Sequence, residues 1–163
     1  MSFRRILQRA SASVVLASLC VFSGCGGPKK PDGLPKLTPC RVKLTQGNAP
    51  LADATVRLVY QGEGDAGRWA VAGASDEKGV AKIKTHGQFD GAPSGNFQVV
   101  VTKEDSENDG KTVKTYSLVE NQYTMQTTTT LTLEVGDSPV DATFDLGAPV
   151  RDLVEEHAAS TDP

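Results

Sequence analysis

Between Cys40 and Leu146 the chain is built of short runs in which apolar and polar residues alternate with a period of two. Cys40, Val42 and Leu44 alternate with Arg41 and Lys43, and Ala54, Val56, Leu58 and Tyr60 alternate with Thr55 and Arg57. That spacing marks strands with one buried face. Further strands are expected from Arg68 to Ala74, at Val80–Ile83 with Lys82 and Lys84 facing out, and at Phe97–Val101, the most hydrophobic run and so the central one. Tyr116–Val119 reads as a short edge segment, and Leu131–Val135 with Ala142–Leu146 as a closing hairpin around Gly136–Pro139. Between them lie turn signals: Gly79 suits a positive φ, His86–Gly95 is a long connection, and 61–67 and 104–110 are acidic, glycine-containing loops. Strands recurring about every ten residues predict an antiparallel, seven-stranded β-sandwich over residues 39–149. Nothing has the helical period that a βαβ crossover needs, so the expected class is all-β.

The two ends of the chain break this pattern. Arg4, Arg5 and Arg9 precede an apolar run from Ala12 to Phe22, and Ser23 and Gly24 lead to Cys25. A charged start, a short apolar stretch and small residues before a cut make a secretory signal over residues 1–24. The apolar run would rise only ~17 Å as a helix, against ~30 Å of bilayer hydrocarbon, so it is too short for a transmembrane anchor. Val21-Phe22-Ser23-Gly24-Cys25 resembles the lipobox of bacterial lipoproteins. The resemblance implies that Cys25 receives a lipid and becomes the first mature residue of an exported protein held on a cell membrane, at the outer membrane or the periplasmic face. Residues 25–38 then read as a lipid-anchored flexible linker, because Gly26 to Thr38 hold three prolines, three glycines and three lysines and nothing that would bury. Residues 150–163 read as a polar tail, with one or two helical turns from Arg151 to Ala159 or else frayed.

Charge narrows the range of partners. Residues 1–24 hold three of the 17 basic side chains and none of the 20 acidic ones, so the remainder carries a formal charge of −6 with no basic stripe. Nucleic acid is excluded as a partner on that balance. With Cys25 lipidated and Cys20 removed with the signal, Cys40 is the one remaining thiol. It pairs with another molecule or is buried, and its parity with Val42 and Leu44 favours burial.

Three further segments carry a family likeness. Gln46–Val56, Ala74–Ala81 and Gly91–Val99 resemble, in order, the opening strand entry, the turn and the later strand entry of carboxypeptidase regulatory-like domains. Gly136–Leu146 is similar to the closing strand of small exported lipoproteins of that type. The chain departs from the pattern at Asp53, where glycine is usual, and at Phe97, where tyrosine is. The resemblance implies a transthyretin-like, Greek-key sandwich used as a non-catalytic module.

The candidate chemistry is sparse. His86 and His157 stand in no metal-ligand spacing, and there is no G-x-S-x-G elbow or phosphate-binding glycine loop, so neither an enzyme nor a cofactor is expected. Asp105, Glu107 and Asp109, followed by Gly110, approximate the start of a calcium loop, but Tyr116 stands where a bidentate acid would be needed. Without an ion the same stretch is a solvated acidic loop. Trp69 and Tyr60 flank the glycine-rich loop 61–67 and are candidates for a stacking surface that a glycan would use; strand alternation favours the interior for both. The sequence thus predicts a membrane-anchored structural or accessory module. The alternative is a surface protein that meets a glycan, calcium or an envelope protein through its loops.

Overall fold

The structure, a computed structural model, describes residues 29–158. Residues 1–28 and 159–163 lie outside these, and with them the signal segment expected over 1–24 and the lipidation expected at Cys25. Among the described residues no helix is long and apolar enough to cross a membrane.

The fold is all-β. In chain order the strands are β1 (Leu37–Thr38), β2 (Cys40–Gln46), β3 (Ala49–Pro50), β4 (Thr55–Tyr60), β5 (Val71–Ala74), β6 (Val80–Lys82), β7 (Lys84–Thr85), β8 (Phe89–Asp90), β9 (Ala92–Pro93), β10 (Gly95–Thr102), β11 (Glu104–Asn108), β12 (Thr112–Ser117), β13 (Thr132–Val135), β14 (Val140–Asp145) and β15 (Asp152–Ala158). A 3-10 turn at Asp65–Arg68 and a one-turn helix, α1 (Asn121–Thr124), are the helical pieces among the described residues. One antiparallel sheet runs β13-β10-β4-β5-β7-β8; a second has β2 between β14 on one side and β3 and β6 on the other.

The two sheets feed one core. Val42 and Leu44 of β2 meet Val56 and Leu58 of β4, Phe97, Val99 and Val101 of β10, and Leu133 and Val135 of β13. Each such side chain, fully buried, contributes about 1.5–3 kcal/mol. The alternation seen in the sequence is therefore the inward face of β2 and β4, whereas β10, which lies inside its sheet as expected for the most apolar run, buries Val99, Val100 and Val101 in succession.

The strand partners depart from expectation at residues 131–146, which do not form a hairpin. β13 pairs antiparallel with β10, whereas β14 pairs in parallel with β2, from Val140 opposite Cys40 to Asp145 opposite Thr45. Gly136–Pro139 carries the chain from one sheet to the other instead of reversing it. A period of two shows that a strand is half-buried; it does not specify which neighbour the strand bonds.

Two stretches read as loop or tail are strands: the 104–110 segment is β11 with the turn that follows, and the tail supplies β15. The edge segment expected at Tyr116–Val119 instead overlaps the end of β12, the middle strand of a third sheet, β11-β12-β15. All of β11 and β15 is exposed, so neither has a buried face to impose alternation on its sequence. The linker also ends earlier than Thr38. β1 pairs with β9, the buried Thr38 donates its hydroxyl to the Gly136 carbonyl at 2.7 Å, and Pro31, Leu34 and Pro35 are half-buried. We call residues 31–38 the strap.

The registers place these parts at two poles. Leu37 opposite Pro93, Gly95 opposite Val135 and Tyr60 opposite Phe97 put the strap and the loop 61–68 at one pole. Thr102, at the other end of β10, lies roughly 25 Å away at ~3.3 Å per residue and leads directly into β11. Gln46 Nε2 donates to the Leu118 carbonyl and Lys103 Nζ to the Ala52 carbonyl, tying the third sheet to this distal pole.

Candidate functional site

Tyr60 and Trp69 come together in the wall of a groove of about 320 Å³, with Arg57, Ala70, Ala72 and Gln126. The two rings have different surroundings. Tyr60 ends β4 and lies edge-on to Phe97, its register partner, with ring centroids 5.6 Å apart. A Cβ on Gly62 or Gly95 would overlap its ring, and one on Gly67 would press on it at 3.3 Å. Three glycines thus form a slot that holds the ring against the core, so Tyr60 is a packing residue with one edge in the groove. The glycine richness of 61–67, read in the sequence as loop chemistry, is the room this ring needs.

Trp69 follows the 3-10 turn and is half-buried, its indole edge-on to the His86 imidazole at 6.2 Å. The indole Nε1 has neither solvent nor a hydrogen-bond acceptor. An unpaired buried donor of this kind costs about 1–3 kcal/mol. His86 has a φ of 54° and donates its amide to the Ala70 carbonyl at 2.7 Å, which fixes the turn under Trp69. The groove can offer an apolar wall, a guanidinium and an amide. None of its lining residues is a carboxylate, histidine, cysteine or lysine.

The three candidate calcium ligands do not converge. Asp105 and Glu107 share one face of β11, where the Arg151 guanidinium bonds Glu107 at 2.6 Å and Asp105 at 3.4 Å and sits 3.6 Å over the Tyr116 ring. Asp109 instead closes the hairpin turn, accepting the amides of Lys111 and Thr112 at 2.8 and 2.7 Å. Those amides hold its carboxyl below the usual aspartate range, Lys111 first. Among the described residues no group of three or more His, Cys, Asp or Glu side chains is placed to hold a metal ion. Arg151, the residue that organises this cluster, was not legible in advance, because the sequence does not show that the tail returns to β12.

Cys40 is buried at the start of β2, and its thiol is pushed up to about 11 by burial, with the Asp141 charge adding to it. This is the interior placement that its parity with Val42 and Leu44 favoured. Compared with protein-family models, with curated proteins and with solved structures, the chain has no match in any of the three.

Proposed function

We propose that this chain is a non-enzymatic, lipid-anchored cell-envelope protein, whose domain is a transthyretin-like β-sandwich of Greek-key type serving as a structural or accessory module. The observation that carries the proposal is the run from Arg4 to Cys25, a charged, then apolar, then small-residue sequence ending at a cysteine. The fold is compatible with the domain part of the reading. Seven strands of three or more residues (β2, β4, β5, β6, β10, β13 and β14) send side chains into the common core. Asp53, at the place where carboxypeptidase regulatory-like domains usually have glycine, takes a φ of 54°, the left-handed region that glycine adopts without strain.

The docked strap changes what the anchor would do. Pro31 is already half-buried, so the five residues from Gly26 to Lys30 would span only about 16 Å if polyproline-like at ~3.1 Å per residue. The strap pole would then face the bilayer closely. The test is metabolic labelling with an alkyne fatty acid followed by detergent phase partitioning. The natural protein should be labelled and enter the detergent phase, whereas Cys25→Ser should do neither. A Cys25→Ser protein that is cleaved and still membrane-bound refutes the anchor.

The rival reading, a glycan binder, has one observation in its favour, the presence of Trp69 and Tyr60 together in the wall of the groove. Trp69 is the single tryptophan, so its fluorescence reports on the groove alone. A saturable shift with an oligosaccharide, lost in Arg57→Ala, would move the assignment to that class.

A further inference from the structure

The third sheet has no evident task in holding the domain together. It contributes no side chain to the core, and Ser117 is the one buried residue of its three strands. A three-stranded sheet wetted on both faces is marginal by itself. β15 forms its outer edge, paired with β12 on one side and with no strand on the other among the described residues. Such an edge presents unpaired backbone N–H and C=O groups. β15 also carries Leu153 and Val154, 53% and 57% exposed; the other large exposed apolar side chain among the described residues is Met125. An edge meant only to be blunted would not display two adjacent apolar side chains.

The charge on the edge selects the occupant. Asp152, Glu155 and Glu156 are three of the seven residues of β15. Glu156 pairs with Lys114 at 3.7 Å, whereas Asp152 and Glu155 have no lysine or arginine within ion-pair distance among the described residues. A second copy pairing antiparallel about Glu155 would set that carboxylate directly against itself. Like charges facing across a strand pair are destabilising. A basic extended segment would meet opposite charges and apolar side chains instead.

We infer that the β15 edge receives an extended, lysine- or arginine-rich segment of another protein by strand addition, with main-chain hydrogen bonds giving affinity and the β15 carboxylates giving selectivity. The edge lies at the distal pole, opposite the strap, so a partner there would not compete with whatever the strap pole meets. The inference does not depend on the lipid anchor.

The test uses the mature full chain and two synthetic peptides, one alternating lysine with valine and one alternating glutamate with valine. The lysine peptide should bind, slow amide exchange along β15 and lose affinity as salt rises. Asp152→Lys breaks no ion pair among the described residues, and Glu155→Lys loses only an exposed 3.9 Å contact with His157, so the sheet should persist in both; each should weaken the lysine peptide about tenfold or more. An amide spectrum of each variant checks that β15 still pairs with β12. Equal binding of the glutamate peptide overturns the inference. So does unchanged binding by both variants with β15 in place, or self-association through β15 that excludes the peptide.

Discussion

The strap depends on one glycine, which makes Gly91→Ala a sharp test of how the N-terminal end is held. Gly91 has a φ of 103°, where an L residue is strained by about 1–3 kcal/mol. The new Cβ would also fall on the Thr38 carbonyl oxygen, inside the 3.0 Å that real Cβ atoms respect. Thr38 cannot easily retreat: its hydroxyl is bonded to Gly136, its neighbour Leu37 is paired with Pro93, and Pro39 follows. If the strap lets go, two or so hydrogen bonds at roughly 1 kcal/mol each are lost as well. The expected destabilisation is therefore about 3–5 kcal/mol, read by urea unfolding on Trp69 fluorescence. Trypsin should also cut faster after Lys36, just before β1. Gly33→Ala is the control, because Gly33 has a φ of 80° and nothing within 4 Å of its missing Cβ. It should show only the backbone part. A Gly91→Ala protein within ~0.5 kcal/mol of the parent, with unchanged cleavage, would refute the account of the strap.

Two other expectations follow from side chains in place. The Cys40 thiol should resist alkylation in the native mature protein at pH 8 and react once urea unfolds it. Because the folded thiol holds its proton up to about 11 while the unfolded one releases it from 9.0, stability should fall as pH rises through that window. The loss is at most about 2–3 kcal/mol and should be missing from Cys40→Ala, as paired urea curves at pH 8 and pH 10.5 would show. Arg151→Ala removes the guanidinium that links Asp105 and Glu107 across Tyr116. Amide exchange should quicken in Thr112–Ser117 and Asp152–Ala158 while β2, β4 and β10 keep theirs; equal quickening in both sets would show that the third sheet is not a separate cooperative unit.

What the sequence revealed tracks what is half-buried. Cys40–Leu44 and Ala54–Leu58 alternate because one face of each enters the core, and Phe97–Val101 is a continuous apolar run because Val99, Val100 and Val101 are all buried; these positions could be read directly. β11 and β15 could not, because water on both faces leaves no periodic signal. The parallel pairing of β14 with β2 was hidden for another reason: Val140, Ala142 and Phe144 alternate equally well in any partnership. Thr129 also lies in the interior, where its hydroxyl bonds the Val99 carbonyl at 2.7 Å, and a run of four threonines gives no sign of which one is buried. At the groove, Tyr60 and Trp69 were visible as residue types. The slot of glycines around Tyr60 needed the fold, since Gly95 approaches it from a distant part of the chain.

The pairing around β2 has a mechanical side. β2 follows the strap after a single residue, Pro39, and runs from the strap pole toward the distal one. It is bonded along one side to β14 over six residue pairs and along the other to β6 and β3. Ladder bonds lie across the strand direction, so tension entering through residues 31–38 acts along β2 and strains the bonds on both its sides together, in shear, instead of opening them one at a time. For a body held at one pole and grasped at the other, the strand nearest the tether is the one best placed to resist the pull.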